Sequence, residues 1–507
     1  MSKQNPNELS ALLQELQGLN RLSDVPRRVE LCQTAIRLVD RNAQSELWAG
    51  LLMELGNSLA QNPLGQRADN IDLAIGQLNQ ALEVYTREAF PEQWAMTQNN
   101  LAIAYSDRIR GERAENIDLA IDHFNQALEV YTREAFPEQW AMTQNNLAIA
   151  YSNRIRGERA ENIDLAIDHY NQALEVRTNG AFPEQWAMTQ NNLAAAYSDR
   201  ISGERAENID LAIGHYNQAL VVYTREAFPE QWAATQNNLA AAYNNRIRGD
   251  RAENLDLAID HYNQALEIRT REAFPEQWAA TQNNLAAAYN NHIRGVRAEN
   301  LDLAIDHYNQ ALEVYTREAF PEDWAATQNN LAAAYSDRIR GDRAANLDLA
   351  IDHYKQALEI RTREAFPEQW ATTQNNLATL YDNQGRYNEA EPLYQRALAI
   401  REKVLGTEHP DTASILNNLA MLYDNQDRYN EAEPLYRRTL AIREKVFGSE
   451  HPDVAIGLNN LARVYYRQGM YDEAMQLFKR ALAISEKVLG SLHPLTKEIR
   501  EQLGSMQ

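Results

Sequence analysis

From residue 45 onward the apolar positions return on a regular beat. Between residues 91 and 109, Trp94, Leu101 and Tyr105 fall on one helical face, with Ala102 beside them. Pro91 suits a first helical position, where its missing N–H would have no partner anyway. Glu92 is favourable near the positive end of a helix. The spacing predicts a helix from about Pro91 to Ile109. The polar turn RGERAE follows, with Gly111 in it. Asn116 reads as the N-cap of a second helix that starts at Ile117. Leu119, Ala120, Phe124, Ala127 and Leu128 make its buried stripe, and it ends near Arg133. Each unit is then two antiparallel helices of about 18 residues, roughly 27 Å each.

The pattern repeats every 46 residues. Trp48, Trp94, Trp140, Trp186, Trp232, Trp278, Trp324 and Trp370 all keep that step. A fixed period in the range of about 20–50 residues marks a solenoid or propeller, and paired helices select the solenoid. Counting back from Ala81 and Leu78 reaches Ala35 and Cys32, so a degraded first repeat occupies residues 7–40, its second helix opening near Asp24 and Pro26. After Trp370 the step shortens: Leu377, Leu419 and Leu461 are 42 apart. These later repeats have a short turn inside the pair, DNQGRYNEA, and a longer linker between pairs, REKVLGTEHPDTASILNNLA. One further step reaches Leu503, which places a capping helix at His493–Leu503. The expected organisation is a degenerate N-terminal capping repeat over 1–40, the 46-residue array over 41–370, the 42-residue repeats over 371–492 and a capping helix over 493–507.

Leu101, Ala102 and Tyr105, followed by Ala120, Phe124 and Ala127, resemble the tetratricopeptide repeat (TPR) family. The resemblance runs through nearly the whole chain. It implies an all-α fold, a right-handed α-solenoid superhelix of about eleven helix pairs plus the C-terminal capping helix. The repeat departs from the family's usual period of about 34 residues, with extra residues both within and between pairs. Trp94 also stands seven residues before Leu101, away from the family's tryptophan position. The long form is similar to repeats of cyanobacterial proteins that often precede caspase-like CHAT protease domains. The 42-residue form is similar to kinesin light chain repeats.

Composition narrows the function. The net charge is −22, which disfavours nucleic acid and anionic membrane surfaces and suits a partner with basic patches. One cysteine, Cys32, rules out an intrachain disulfide and a CxxC site; it reads as a buried core thiol. No basic-then-apolar leader and no run of about 18 apolar residues is present, so the expectation is a cytoplasmic protein. There is no GxxxxGK[ST], HExxH or GxSxG, and no His–Cys pair in an α/β setting. The chain is expected not to be an enzyme and to use no cofactor or metal. His123, His169, His215, His261, His307 and His353 recur once per repeat, about 10 Å apart at helix-packing distances, too far to share a metal. They read as structural. His409, His451 and His493 precede prolines in linkers. The tryptophans read as packing joints between repeats, each burial worth about 2–3 kcal/mol.

The asparagines of the recurring NNLA are the candidate binding residues. The second of each pair is Asn100, Asn146, Asn192, Asn238, Asn284, Asn330, Asn376, Asn418 and Asn460. A helical wheel sets Asn100 off the packed stripe, beside Asn99, Ile103 and Asp107. In the family this face lines the concave groove. A primary amide both donates and accepts, so it can hold a peptide backbone of any sequence. The resemblance to kinesin light chain repeats implies such an asparagine ladder, most directly for Asn376, Asn418 and Asn460. The walls of the groove vary: Met96, Met142 and Met188 give way to Ala234, Ala280, Ala326 and Thr372, and Ile103 and Ile149 to Ala195, Ala241, Ala287 and Ala333. Arg110, Arg156, Arg248, Arg294 and Arg340 stand at the turn edge. Tyr131, Arg177, Tyr223, Arg269, Tyr315 and Arg361 alternate on the second helix, as if repeats were copied in pairs. The expected function is a protein-interaction scaffold that binds an extended peptide or a partner helix. The alternatives are a regulatory or sensor arm of a CHAT-protease-like or other bacterial signalling system, and a peptide-pheromone-type receptor. Oligomeric state is open.

Overall fold

The computed structural model describes residues 6–506. Every regular element among them is helical. The chain divides into two compact bodies, Met1–Arg269 and Thr270–Gln507. In the first, helices Pro6–Gln17 and Val25–Leu38 precede five pairs that begin with Ser45–Gln61 and Arg67–Ala81 and close with Pro229–Asn244 and Arg251–Leu266. In the second, five pairs run from Pro275–Asn291 and Arg297–Leu312 to Pro452–Arg467 and Tyr471–Val488, and Pro494–Gly504 is the last helix. Within each body successive pairs pack as a solenoid, each second helix lying against its own first helix and against the first helix of the next pair.

The repeat around Trp94 shows why these residues fold so. Pro91 is the first residue of Pro91–Ser106, and Phe90 is its cap with φ −141°. Leu101, Ala102, Ala120, Phe124 and Ala127 are buried at 0–1% exposure. Ala102 and Phe124 share a cluster with Leu147 and Ala150 of the following repeat. Deleting such a side chain costs about 2–5 kcal/mol. One pair's core is thus completed by the next pair's first helix, and a repeat cannot bury its face alone.

Several boundaries differ from expectation. Pro91–Ser106 and Arg113–Leu128 have 16 residues each, about 24 Å and not 27. The second helix begins at Arg113, so Asn116 lies inside it and is not the N-cap. Its side chain is buried and donates to the carbonyl of Arg110 at 2.9 Å, tying the turn down from within. Gly111 supports this turn with φ +81°, a value that a Cβ disfavours. The stripe is also rotated: Ile117 and Ile121 are buried, and Leu119 and Leu128 only half-buried. In the 42-residue repeats the long linker is mostly helix. Tyr387–Val404 carries REKV in its last turn, and only five residues separate it from Pro410–Asn425.

Candidate interaction face

Consecutive first helices touch directly: Pro91–Ser106 meets both Ser45–Gln61 and Pro137–Ser152. The touching surface is polar, which the sequence did not foretell. Thr97, Gln98 and Asn99 are 0%, 5% and 2% exposed. Buried polar groups need partners, and these find them between neighbours. Thr143 Oγ1 donates to Asn99 Oδ1 at 3.3 Å. The same bond joins Thr189 to Asn145, Thr235 to Asn191, Thr327 to Asn283 and Thr373 to Asn329, at 3.1–3.2 Å. Asn99 therefore does not share an open face with Asn100, as the helical wheel had it; it is a rivet between repeats. The visible signal was Thr recurring two residues before the first Asn.

The second asparagines, Asn100, Asn146, Asn192, Asn238, Asn284, Asn330, Asn376, Asn418 and Asn460, are all half-buried. In the long repeats the amide of the first Asn leans on the second: Asn99 donates to Asn100, Asn145 to Asn146, Asn237 to Asn238 and Asn329 to Asn330, at 3.3–3.5 Å. The 42-residue repeats reverse the arrangement. Asn418 donates to Asn375 of the preceding repeat at 3.1 Å and Asn460 to Asn417 at 3.2 Å. Asn238 lines a cavity of about 280 Å³ with Ala195, Ser198, Asp199, Ala241 and Asn245. The wall residues Met96, Met142, Met188, Ile103 and Ile149 are 36–37% exposed.

Ion pairs bolt each junction. Asp72 receives Arg108 Nε at 2.8 Å and Arg110 Nη1 at 3.1 Å from the next repeat's turn. The Arg108 hydrogen bond, more than any other contact, holds the Asp72 carboxyl below its usual range. Asp118, Asp210 and Asp302 are gripped alike by Arg154 and Arg156, Arg246 and Arg248, and Arg338 and Arg340. Arg110, Arg156, Arg248 and Arg340, expected at the turn edge, are therefore committed to neighbours. Arg87 pairs with Glu129 and sets its guanidinium 5.9 Å from the Trp94 ring centre. Trp48 is buried, and the seven other tryptophans are half-buried. Trp94 and Trp140 cluster with Ala127, Tyr131 and Phe136, so the joint includes the same repeat's linker as well as its neighbour.

The alternating slot lies past the second helix and not on it, since Arg113–Leu128 ends before Tyr131. Tyr131, Tyr223 and Tyr315 are buried and meet Phe136, Phe228 and Phe320 edge-on at 5.6 Å. Arg177 is 6% exposed and donates to Thr189 Oγ1 at 3.0 Å; Arg361 donates to Thr373 at 3.1 Å. Each recurring histidine from His123 to His353 stands 2.6 Å by Nδ1 from the Gln of its own first helix. It also stacks on a tyrosine, as His123 does on Tyr105 at 5.4 Å. Burial pulls these imidazoles below their ordinary value. His409, His451 and His493 cap helices, their Nδ1 accepting from the backbone N–H two residues on at 3.1–3.2 Å. Cys32 is fully buried, and burial pushes its thiol up to about 11.

Stacked helix pairs joined through their first helices define a helical-repeat scaffold. Comparison places the family in the C-terminal part: residues 369–445, 420–487 and 453–507 match the tetratricopeptide repeat family model. Among solved structures, a STAND protein (Signal Transduction ATPase with Numerous Domains) with a tetratricopeptide repeat sensor, from Pyrococcus horikoshii, matches with TM-score 0.55 and 14% identity, over 94% of this chain and 67% of that one. That likeness is one of fold. BtubC (BKLC) from P. vanneervenii matches at 26% identity and TM-score 0.40, over 47% of this chain and 94% of its own. A Podosopora anserina protein with nearly identical TPR-like repeats matches at 26% identity and TM-score 0.36, over 42% and 98%. No curated protein matches the sequence. No helix among the described residues is long and apolar enough to cross a membrane. The repeats make the chain a protein-interaction scaffold.

Proposed function

We propose that the first-helix face holds an extended polypeptide, with the second asparagines pairing to its backbone and the wall residues selecting its side chains. The observation that carries this reading is the division of labour within NNLA. The first Asn is spent on Thr of the next repeat at Asn99, Asn145, Asn191, Asn283 and Asn329, while the second is half-buried in all nine repeats. A partly exposed primary amide keeps donor and acceptor capacity for a ligand backbone. The scaffold carries no reaction of its own in this reading, and it works without a cofactor. Nucleic acid and membrane are not its partners.

The test starts from decapeptides selected on the full chain from a random phage-displayed library. Changing Asn284, Asn330 and Asn376 together to Ala should weaken binding of the selected peptides at least tenfold. The circular dichroism spectrum should stay unchanged. Equal affinity for the triple variant would remove the asparagines from the site.

A further inference from the structure

The slot that alternates between tyrosine and arginine floors a pocket that recurs at the same place in consecutive repeats. One pocket, about 290 Å³, lies between Gln139 and Met142 on one side and Phe182 and Gln185 on the other, with Arg177 in its lining. The next, about 450 Å³, lies between Gln185 and Met188 and Gln231, with Tyr223 in the position of Arg177. Both share the wall methionines with the first-helix face. The two floors are satisfied differently. Two tyrosines of this slot turn back to their own repeat, Tyr85 and Tyr315 donating to the carbonyls of Glu46 and Glu276 at 3.2 and 3.4 Å, and Tyr223 meets Phe228 edge-on. Arg177 reaches forward to Thr189, whose hydroxyl also meets Asn145.

A guanidinium has five N–H donors. Among the described residues Thr189 is the one hydrogen-bond acceptor shown for Arg177, and no carboxylate lies within ion-pair distance of it. Most other arginines here have such a carboxylate, as Arg108 has Asp72. A charge that is nine-tenths buried without a counter-charge is costly; burial accordingly draws Arg177 below its ordinary pKa. A planar donor fork in a pocket matches a carboxylate in two-point geometry.

We propose that the Arg177 pocket is a subsite for an aspartate or glutamate side chain of the bound polypeptide, and that the Tyr223 pocket is not. The inference rests on the groove reading above. Arginine returns in this slot at Arg361, which donates to Thr373 as Arg177 does to Thr189, so an acidic anchor would distinguish arginine-floored repeats from tyrosine-floored ones. Glu138 also lines this pocket but is not within ion-pair distance of Arg177, and acidic charges beyond about 10 Å are largely screened at 0.1 M salt.

Random decapeptides displayed on phage through their C-termini, and so lacking a free α-carboxylate, are selected in parallel on the full chain and on its R177Y/R269Y/R361Y variant. Tyrosine already fills this slot in neighbouring repeats, so the variant should fold. The wild-type pool should be enriched in Asp and Glu over the input and the variant pool should not. A second measurement needs no variant: changing the selected acid to Gln or Asn in a synthetic, C-terminally amidated peptide should weaken wild-type binding at least tenfold. Peptides selected without acidic enrichment, or indifferent to that change, would overturn the subsite and leave the groove reading standing. Failure of the wild type to select any peptide would overturn both.

Discussion

Asn145 and Asn146 are neighbours in sequence with different employment. Asn145 is 1% exposed and meets Thr189 Oγ1 at 3.1 Å, whereas Asn146 is half-buried. Removing one partner of a buried bond costs about 1–3 kcal/mol; a partly exposed amide costs less. Asn145→Ala should therefore lower stability by about 1–2 kcal/mol more than Asn146→Ala, read as urea midpoints. Equal losses would mean that the two amides are not divided between scaffold and ligand. Gly111 makes a separate point. At φ +81° an alanine should cost about 1–2 kcal/mol, and Gly111→Ala should lower the melting temperature while leaving peptide binding intact. The sequence showed that both asparagines recur, but not that Asn99 and Asn145 are buried while Asn100 and Asn146 are half-buried. That depends on the hand and spacing with which the next repeat packs, and no single helical wheel contains the next repeat.

At the scale of elements, the helix pairs and their order were legible because apolar spacing and proline-led starts are local. The ends were not. Asn116 looked like a cap, yet its side chain is used inside the helix to hold the turn, while the true cap residue, Glu112, makes no side-chain cap bond. The REKV stretch looked like a linker because the long repeats break there, whereas the short repeats continue the helix through it. The histidine of the second helix gives a pH test. Its folded pKa is depressed by burial, so the neutral form is favoured in the folded state. Above the unfolded pKa, near 6.5, it costs nothing. As pH falls through that value the unfolded chain takes up protons first, and stability drops until the folded pKa is passed. The chain should melt at lower temperature at pH 5.5 than at pH 7. Changing the six histidines to Gln, as Gln77 already stands in the same slot, should flatten that dependence. An unchanged pH profile would show that the imidazoles do not report burial.

At the scale of the molecule, stability is spread over junctions in each body: apolar cores shared between repeats, Thr–Asn rivets and Arg–Asp bolts. Partly exposed ion pairs contribute only about 0–1 kcal/mol each, so the bolts serve register more than stability. The alternation of Tyr131 and Arg177 looked like a trace of paired copying, and it also changes the floor of successive pockets, which only the packed repeats display. The central claim is that a polypeptide lies extended on the first-helix face and is held by the second asparagines. The most direct measurement is a crystal structure of the full chain with a library-selected decapeptide. The peptide backbone should run across consecutive first helices, its N–H and C=O groups within about 2.7–3.2 Å of second-asparagine amides in adjacent repeats. A peptide seated on the second helices, or on the first-helix face without contact to those amides, would contradict the account.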